Sequence, residues 1–309
     1  MTTRKPVRIS FRIMTRKNKK ILVTGSSGFV GKKLVRKLTA SKYEVITADI
    51  KEGIDLTDFD EVKKINDFDT VIHLAAHTFV PDSFKKPWEY YNNNIRSTLN
   101  LLEICRIQKA GMIYLSSYVY GKPEYLPIDE KHPVKGYNPY SQTKIICEQI
   151  CEGYHRDHNV PSVILRPSNI YGDGQNENFL IPKILSQLKK GEMELKYSKP
   201  KRDYIFVDDF VDALCLVVKK EIKGFEIYNI GFGKSYSVKG IVEIIKKIIK
   251  KNIIVQFEKA SGRNDIMDTV YNIDKIKLFL EWEPRIDIEQ GLEKLIRIEG
   301  TRPGPSGPL

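Results

Sequence analysis

Ile21-Leu22-Val23-Thr24-Gly25-Ser26-Ser27-Gly28-Phe29-Val30-Gly31 is the stretch that decides the fold. A short β-branched run enters three glycines spaced three apart, and the apolar residues beyond them (Phe29, Val30, Leu34, Val35, Leu38) recur at helical spacing. The pattern predicts strand, tight turn, helix. Such a turn leaves main-chain N–H groups free at the start of a helix, where a dinucleotide's pyrophosphate would sit. Each glycine has a use there: a turn closed to side chains, close approach of backbone to phosphate, and tight packing of helix on strand. A P-loop is excluded by count. One residue too many separates Gly25 from Gly31-Lys32, and Lys33 stands where magnesium binding needs Ser or Thr.

Outward from the glycines, Glu44-Val45-Ile46-Thr47-Ala48-Asp49 reads as a second strand. It ends in a carboxylate about twenty residues on, where an acid accepts hydrogen bonds from an adenosine ribose. A carboxylate there repels a 2′-phosphate, so Asp49 favours NAD over NADP, with neighbouring Lys51 as an opposing charge. Strand and helix then alternate: helix 57–66, strand 70–74, helix 88–108, strand 112–115, helix 138–156 and strand 162–165. Alternation of this kind predicts a Rossmann-type α/β fold, a doubly wound parallel sheet with helices on both faces and ligands at the strands' carboxyl ends.

Beyond Pro167 the texture changes. A Gly-, Asn- and Tyr-rich loop over 168–178 leads to helix 179–190, an extended piece at 194–197, strand 204–207, helix 209–220, strand 226–230, helix 238–251, strand 253–257 and two short helices. The expected organisation is a basic N-terminal extension (1–18), an NAD-binding domain (19–167) to which 204–220 returns, a smaller C-terminal α/β substrate-binding lobe (168–298) and a flexible tail (299–309). Net charge is +12, but Arg4, Lys5, Arg8, Arg12, Arg16, Lys17, Lys19 and Lys20 supply eight positive charges before the first predicted strand, with no acid among them. The remainder is mildly basic, so an anionic small molecule suits it as well as nucleic acid does. The N-terminal segment lacks the apolar core of a secretory signal, and Met14 is a possible start of the folded unit. No run of eighteen apolar residues predicts a membrane span. Cys105, Cys147, Cys151 and Cys215 fall inside predicted helices with no C-x-x-C pair, which fits a reducing cytoplasm.

The chemistry-bearing residues cluster at predicted strand and helix ends. Tyr140-Ser141-Gln142-Thr143-Lys144 opens a helix, and positions i and i+4 share a face, so a phenol stands beside an ammonium. Lowering a tyrosine pKa from about 10 by about three units takes roughly 4 kcal/mol, and a nearby cation supplies part of it. Ser116 and Ser117 end the strand of Tyr114-Leu115, placed to hydrogen-bond a substrate oxygen whose proton the tyrosine takes. No G-x-S-x-G elbow is present, and no histidine follows in hydrolase order. His73 and His77 are four apart but at a strand end, so no metal site is expected; Cys147 and Cys151 share a helical face and are read as packing.

Thr24-Gly25-x-x-Gly28-x-x-Gly31, Asp49, His73-Leu74-Ala75-Ala76, Ser116-Ser117, Tyr140-x-x-x-Lys144 and Arg202-Asp203-Tyr204, taken in this order over roughly residues 19–298, resemble an extended short-chain dehydrogenase/reductase of the nucleotide-sugar epimerase/dehydratase family. The resemblance implies bound NAD, a nucleoside-diphosphate sugar (UDP or dTDP) and hydride transfer at a sugar carbon, usually C4. It implies that Tyr140 is the acid/base, that Lys144 holds the nicotinamide ribose and tunes the phenol, and that Ser116, five before Gly121, bonds the sugar hydroxyl, with Ser117 beside it. Gly25, Gly28, Phe29, Val30, Gly31 and Asp49 are the implied nucleotide contacts, Asp55 and Leu56 border the adenine, and Leu74, Ala75, Ala76 and Asn94 lie along the cofactor. Asn169 and Arg202 are the implied contacts to the sugar diphosphate. Arg263 is a second candidate clamp, its spacing to Asp265 one residue short of the usual pattern.

Dehydratases of this family carry Asp-Glu directly after the hydroxyl residue, where this chain has Ser117-Tyr118, so no 4,6-dehydratase activity is expected. The motifs leave a 4-epimerase, slightly favoured, and a 4-ketoreductase using NADH or NADPH. The short connection from Asp49 to Asp55 is more like some ketoreductases. A third possibility is a noncatalytic dinucleotide sensor or RNA-binding relative using the basic N-terminus, against which Ser116, Tyr140 and Lys144 argue. The resemblance also implies a homodimer through the helices near 88–108 and 138–156, and neither membrane nor nucleic-acid partners.

Overall fold

In the computed structural model, which describes residues 19–188, 192–196, 198–221, 223–251, 253–258 and 266–301, the glycine stretch folds as its pattern predicts. Strand β1 (Lys20–Thr24) runs into Gly25, and helix α1 (Phe29–Ala40) begins after Gly28. β2 (Glu44–Ala48), β3 (Thr70–His73), β4 (Gly111–Leu115) and β5 (Ser162–Pro167) follow, and with β9 (Phe225–Ile230) they form one parallel sheet ordered β2-β1-β3-β4-β5-β9. The register holds Ile21 against Val45 on one side and Thr70 on the other.

Alternation of side chains divides the core. Leu22, Val71, Met112, Tyr114 and Ile164 point to one face of the sheet, where they meet the long helices α4 (Pro87–Gln108) and α5 (Pro139–His158). Ile21, Val23, Ile72, Ile113 and Leu165 point to the other, towards α1 and α7 (Val207–Lys219). Buried on both faces, these strands read as nearly continuous apolar runs. The short α2 (Phe59–Val62) and α3 (Val80–Lys85) precede α4.

The remaining elements build a second layer over the carboxyl ends. β8 (Lys201–Phe206) pairs with β6 (Asn169–Tyr171) in parallel and with β10 (Ser235–Ser237) antiparallel, while β11 (Ile254–Glu258) pairs with β7 (Glu192–Lys196). Helices α6 (Leu180–Leu188), α8 (Val238–Ile249), α9 (Asp274–Leu280) and α10 (Ile288–Thr301) complete it.

Several expectations need correction. The helix expected over 57–66 is confined to α2, because the carboxylates of Asp55 and Asp58 accept from Thr57 N–H and Asp60 N–H and hold the chain in turns. Part of the loop expected over 168–178 is the strand β6. Of the stretch 204–220 expected to return to the nucleotide-binding layer, α7 does so, but 204–206 belongs to β8 in the second layer. It is β9 that rejoins the main sheet, beside β5. Residues 299–301, expected to open the tail, belong to α10, which runs through Thr301. The basic extension 1–18 and residues 302–309 lie outside the described residues.

Candidate active site

At the carboxyl ends of β1 to β5 lies a cavity of about 1190 Å³, larger than the roughly 300–1,000 Å³ of a single small-ligand site. One end is built by the glycine turn. Gly25 has φ +66°, and a side chain on Gly31 would strike the Gly25 carbonyl oxygen at 2.1 Å, so helix α1 can start directly against the turn. Gly28 supplies no side-chain cap to α1 and no acid stands in its first turn. The N–H groups and positive dipole end of this twelve-residue helix therefore face the cavity, which Gly25, Gly28, Phe29, Val30 and Gly31 line. Asp49, at the end of β2, lines it too, with Oδ2 accepting from Ser27 N–H at 3.0 Å and Oδ1 from Lys51 N–H at 2.9 Å. Asp55 and Leu56 form the adjoining wall, and Leu74, Ala75 and Ala76 the floor after β3. A cradle closed to side chains, an uncapped helix start and an adjacent carboxylate fit the pyrophosphate and ribose of a dinucleotide.

The middle of the cavity holds the phenol. Asn138 and Ser141 fix the start of α5 by a reciprocal cap, Asn138 Oδ1 accepting from Ser141 N–H at 2.7 Å and Ser141 Oγ from Asn138 N–H at 3.2 Å. Tyr140, between them, lines the cavity. Burial pushes its phenol well up, opposed by the neighbouring Ser117 hydroxyl. Ser117 is 8% exposed and its Oγ has no geometrically formed hydrogen bond, so it is a buried polar atom facing a cavity beside a phenol. Lys144 lies one turn along α5, 3% exposed. Its Nζ donates to Leu115 O at 2.7 Å and sits 4.7 Å from the Tyr114 ring centre and 5.9 Å from that of Tyr140. Burial pulls its ammonium down to about 8, against the raising influence of Cys147 and Glu148.

Two of the expected residues are held by partners of their own. Ser116, expected to bond substrate, lines the cavity, and its Oγ donates to Glu148. That carboxylate is in turn gripped by Arg166, with Nη2 at 2.6 Å and Nε at 3.0 Å, and the pair is almost fully buried. The next hydroxyl at the strand end, Ser117, is the one beside the Tyr140 phenol. Asn94 does not line the cavity. It is 1% exposed, accepts from His77 N–H at 2.8 Å and donates to His77 O and to Thr143 Oγ, so it braces the loop after β3 against α5. Lys144 likewise reaches the cavity only through its neighbours.

At the far end Asn169 and Arg202 line the cavity. Arg202 Nη1 donates to Lys201 O and Ile266 O at 2.8 and 2.7 Å, and its charge favours the ionised forms of Tyr118, Tyr137 and Tyr204 around it. Arg263 lies outside the described residues. Sequence reasoning did not find the tyrosine wall: Tyr118 stacks on Tyr271 at 6.3 Å and meets Tyr137 edge-on at 5.9 Å. The Y-V-Y run at 118–120 was its visible trace. Asp203, beside Arg202 in sequence, is fully buried. Burial raises it to about 6 although Phe232, Gly233 and Tyr271 N–H groups bond it, which makes it a brace for the second layer.

His73 is buried and uses both ring nitrogens, with Thr24 Oγ at 2.8 Å and Thr98 Oγ at 3.1 Å. Thr98 donates to Asn94 O, so His73 carries its proton on Nε2, and burial, then Lys144, holds its pKa at about 3. Among the described residues no group of three or more His, Cys, Asp or Glu side chains is arranged to hold a metal ion, and no helix is long and apolar enough to cross a membrane.

Residues 21–231 match the model of the NAD dependent epimerase/dehydratase family. The chain is similar to the UDP-glucose 4-epimerase of Lactobacillus helveticus, 30% identical over 86% of this chain and 92% of that protein. It is 34% identical to the GDP-6-deoxy-D-talose 4-dehydrogenase of Aggregatibacter actinomycetemcomitans over 80% and 85% of the two chains. Among solved structures, the UDP-glucose 4-epimerase of Bifidobacterium longum in complex with NAD+ and UDP superposes with a TM-score of 0.82 at 26% identity, covering 91% of this chain and 98% of that one.

Proposed function

The chain belongs to the NAD-dependent epimerase/dehydratase family, and from that premise we propose that it is a UDP-sugar 4-epimerase acting on a UDP-glucose-like substrate. It is an NAD-dependent nucleotide-sugar enzyme of the extended short-chain dehydrogenase/reductase type. The observation that carries the proposal is the position of Tyr140 and Ser117 midway along one cavity, between a helix start fit for pyrophosphate and the Arg202 guanidinium. Oxidising a secondary alcohol needs a hydride acceptor on one side and a base on the other, and this layout has room for both.

NAD, when bound, supplies the hydride acceptor and a positive ring. We assign Gly25, Gly28, Phe29, Val30, Gly31, Asp49, Asp55, Leu56, Leu74, Ala75 and Ala76 to holding it. Arg202 and Asn169 take the sugar's diphosphate, a planar guanidinium being suited to phosphate oxygens. Ser117 fixes the C4 hydroxyl and Tyr140 takes its proton. In the protein alone Lys144 titrates at about 8, while burial pushes the Tyr140 phenol up. The phenolate is therefore not a resident state. A cation 5.9 Å from the ring centre favours the phenolate once the site is filled. Tyr118 stands where a dehydratase has an acid, and its hydroxyl donates to Gly121 O, leaving no group there to expel water. Epimerisation further requires the keto-sugar to turn over between the two hydride transfers.

Four free cysteines fit a cytoplasmic setting. A homodimer through the outer faces of α4 and α5 is part of the proposal, supported by Trp88, Leu99 and Ile107 of α4, which are 74, 41 and 58% exposed.

The decisive assay presents UDP-glucose or UDP-galactose to the purified protein with no added cofactor. Interconversion, with NAD released on denaturation, is the expected result. An absolute need for added NADH or NADPH would instead establish the 4-ketoreductase reading, which the short Asp49–Asp55 connection and the likeness to a 4-dehydrogenase favour.

A further inference from the structure

We propose that Glu52 is a second carboxylate which, with Asp49, excludes a 2′-phosphate from the adenosine end of the cavity, making it a specificity-determining residue for NAD over NADP. The inference rests on the NAD reading above and concerns how the chain enforces it.

After β2 the chain makes a 3-10 turn over Ile50–Glu52, started by the Asp49 side chain accepting from Lys51 N–H and closed by Gly53 at φ +83°. The turn swings Glu52 back over the glycine loop. Its Oε1 accepts from Ser26 Oγ at 3.0 Å and from Ser27 Oγ at 3.3 Å, while Asp49 Oδ2 accepts from Ser27 N–H at 3.0 Å. Two carboxylates thus converge on the same pair of loop residues. The ribose hydroxyls of a dinucleotide lie against the carboxylate ending the second strand, so a phosphate on the 2′ oxygen would have to enter this corner. A binder of the phosphorylated cofactor needs donors and positive charge there. Here the donors that the loop offers, Ser26 and Ser27, are turned to Glu52, and the side chain they meet is itself an anion. Lys51 is exposed on the same turn, so Glu52 also offsets the cation that would otherwise soften the preference.

Charge and shape are separable because Glu52 is exposed and the amide of Gln can still accept from Ser26. The experiment is a fluorescence titration of NADH and NADPH into the wild type, Glu52→Gln and Glu52→Lys after removal of copurified nucleotide, at low and high salt, with thermal melts to verify folding. A like charge acting through water changes affinity on the order of tenfold. The expected result is NADPH binding that tightens about tenfold in Glu52→Gln and further in Glu52→Lys, NADH binding within about twofold of wild type, and a gain that shrinks at high salt. Unchanged NADPH affinity in both variants, or a wild type that binds the two cofactors equally, overturns the role of Glu52 while leaving dinucleotide binding standing. A wild type that binds neither and releases no NAD on denaturation overturns both.

Discussion

Replacing Lys144 by Met should stabilise the protein at neutral pH while abolishing its chemistry. The ammonium is 3% exposed, and burial brings it down from 10.5 to about 8. At about 1.4 kcal/mol per pKa unit, holding the charge in place costs the folded state about 3 kcal/mol at pH 7. Removing it also removes the bond to Leu115 O and the cation over the Tyr114 ring, worth together about 2 kcal/mol. The net is a variant about 1 kcal/mol more stable at pH 7. The pH dependence carries the sign. Below about 8 the lysine is charged in both folded and unfolded chains and the penalty is complete. Between about 8 and 10.5 the unfolded chain holds more protons, so wild-type stability gains on the variant as pH rises, and the variant's advantage reverses. Urea unfolding of both proteins at pH 7, 8, 9 and 10 measures this directly. A variant more than about 2 kcal/mol less stable at pH 7, or a difference that does not move towards the wild type by pH 10, would refute the reasoning.

Five other outcomes follow from the geometry and the sequence. Tyr140→Phe should lose at least about a hundredfold in kcat yet still bind dinucleotide and sugar nucleotide by calorimetry; a protein that keeps its function without the phenol is a sensor, not an enzyme. Ser117→Ala should lower kcat about tenfold or more with unchanged stability, because its Oγ has no partner, whereas Ser116→Ala takes a donor from Glu148 and should cost about 1–2 kcal/mol in chemical denaturation with the smaller effect on kcat. Arg166→Met leaves Glu148 buried and unpaired and should cost about 3–5 kcal/mol by the same assay. Incubation with nucleotide hexoses should give no 4-keto-6-deoxy product by mass spectrometry, since Ser117 and Tyr118 replace the acids that would eliminate water.

What the sequence revealed follows the range over which its signals act. The turn from Thr24 to Gly31 and the pairing of Tyr140 with Lys144 are local, set by φ angles and a helical turn, and the structure has both as expected. Ser116 and Ser117 both line the cavity, and what distinguishes them is the partner each hydroxyl meets across the fold. Only the burial of Glu148 with Arg166, eighteen residues away on β5, shows that Ser116 has a carboxylate to donate to. Asn94, expected along the cofactor, does not line the cavity, and its service to His77 and Thr143 depends on how α4 lies on α5. The fate of 225–230 was hidden for a similar reason: its apolar run fits a strand in either layer, and the vacant edge of β5 decides it.

The path of the chain between its layers has a consequence for engineering. From β5 it leaves for β6, comes back through β8 into α7 and β9, and leaves again for β10, so the half that holds the sugar is stitched into the half that holds the nucleotide. Such a half cannot be exchanged as a cassette between relatives, because every graft would need several matched junctions at once. New substrate preferences in this scaffold are therefore best sought by point substitution along the tyrosine-lined wall, with each crossing left intact.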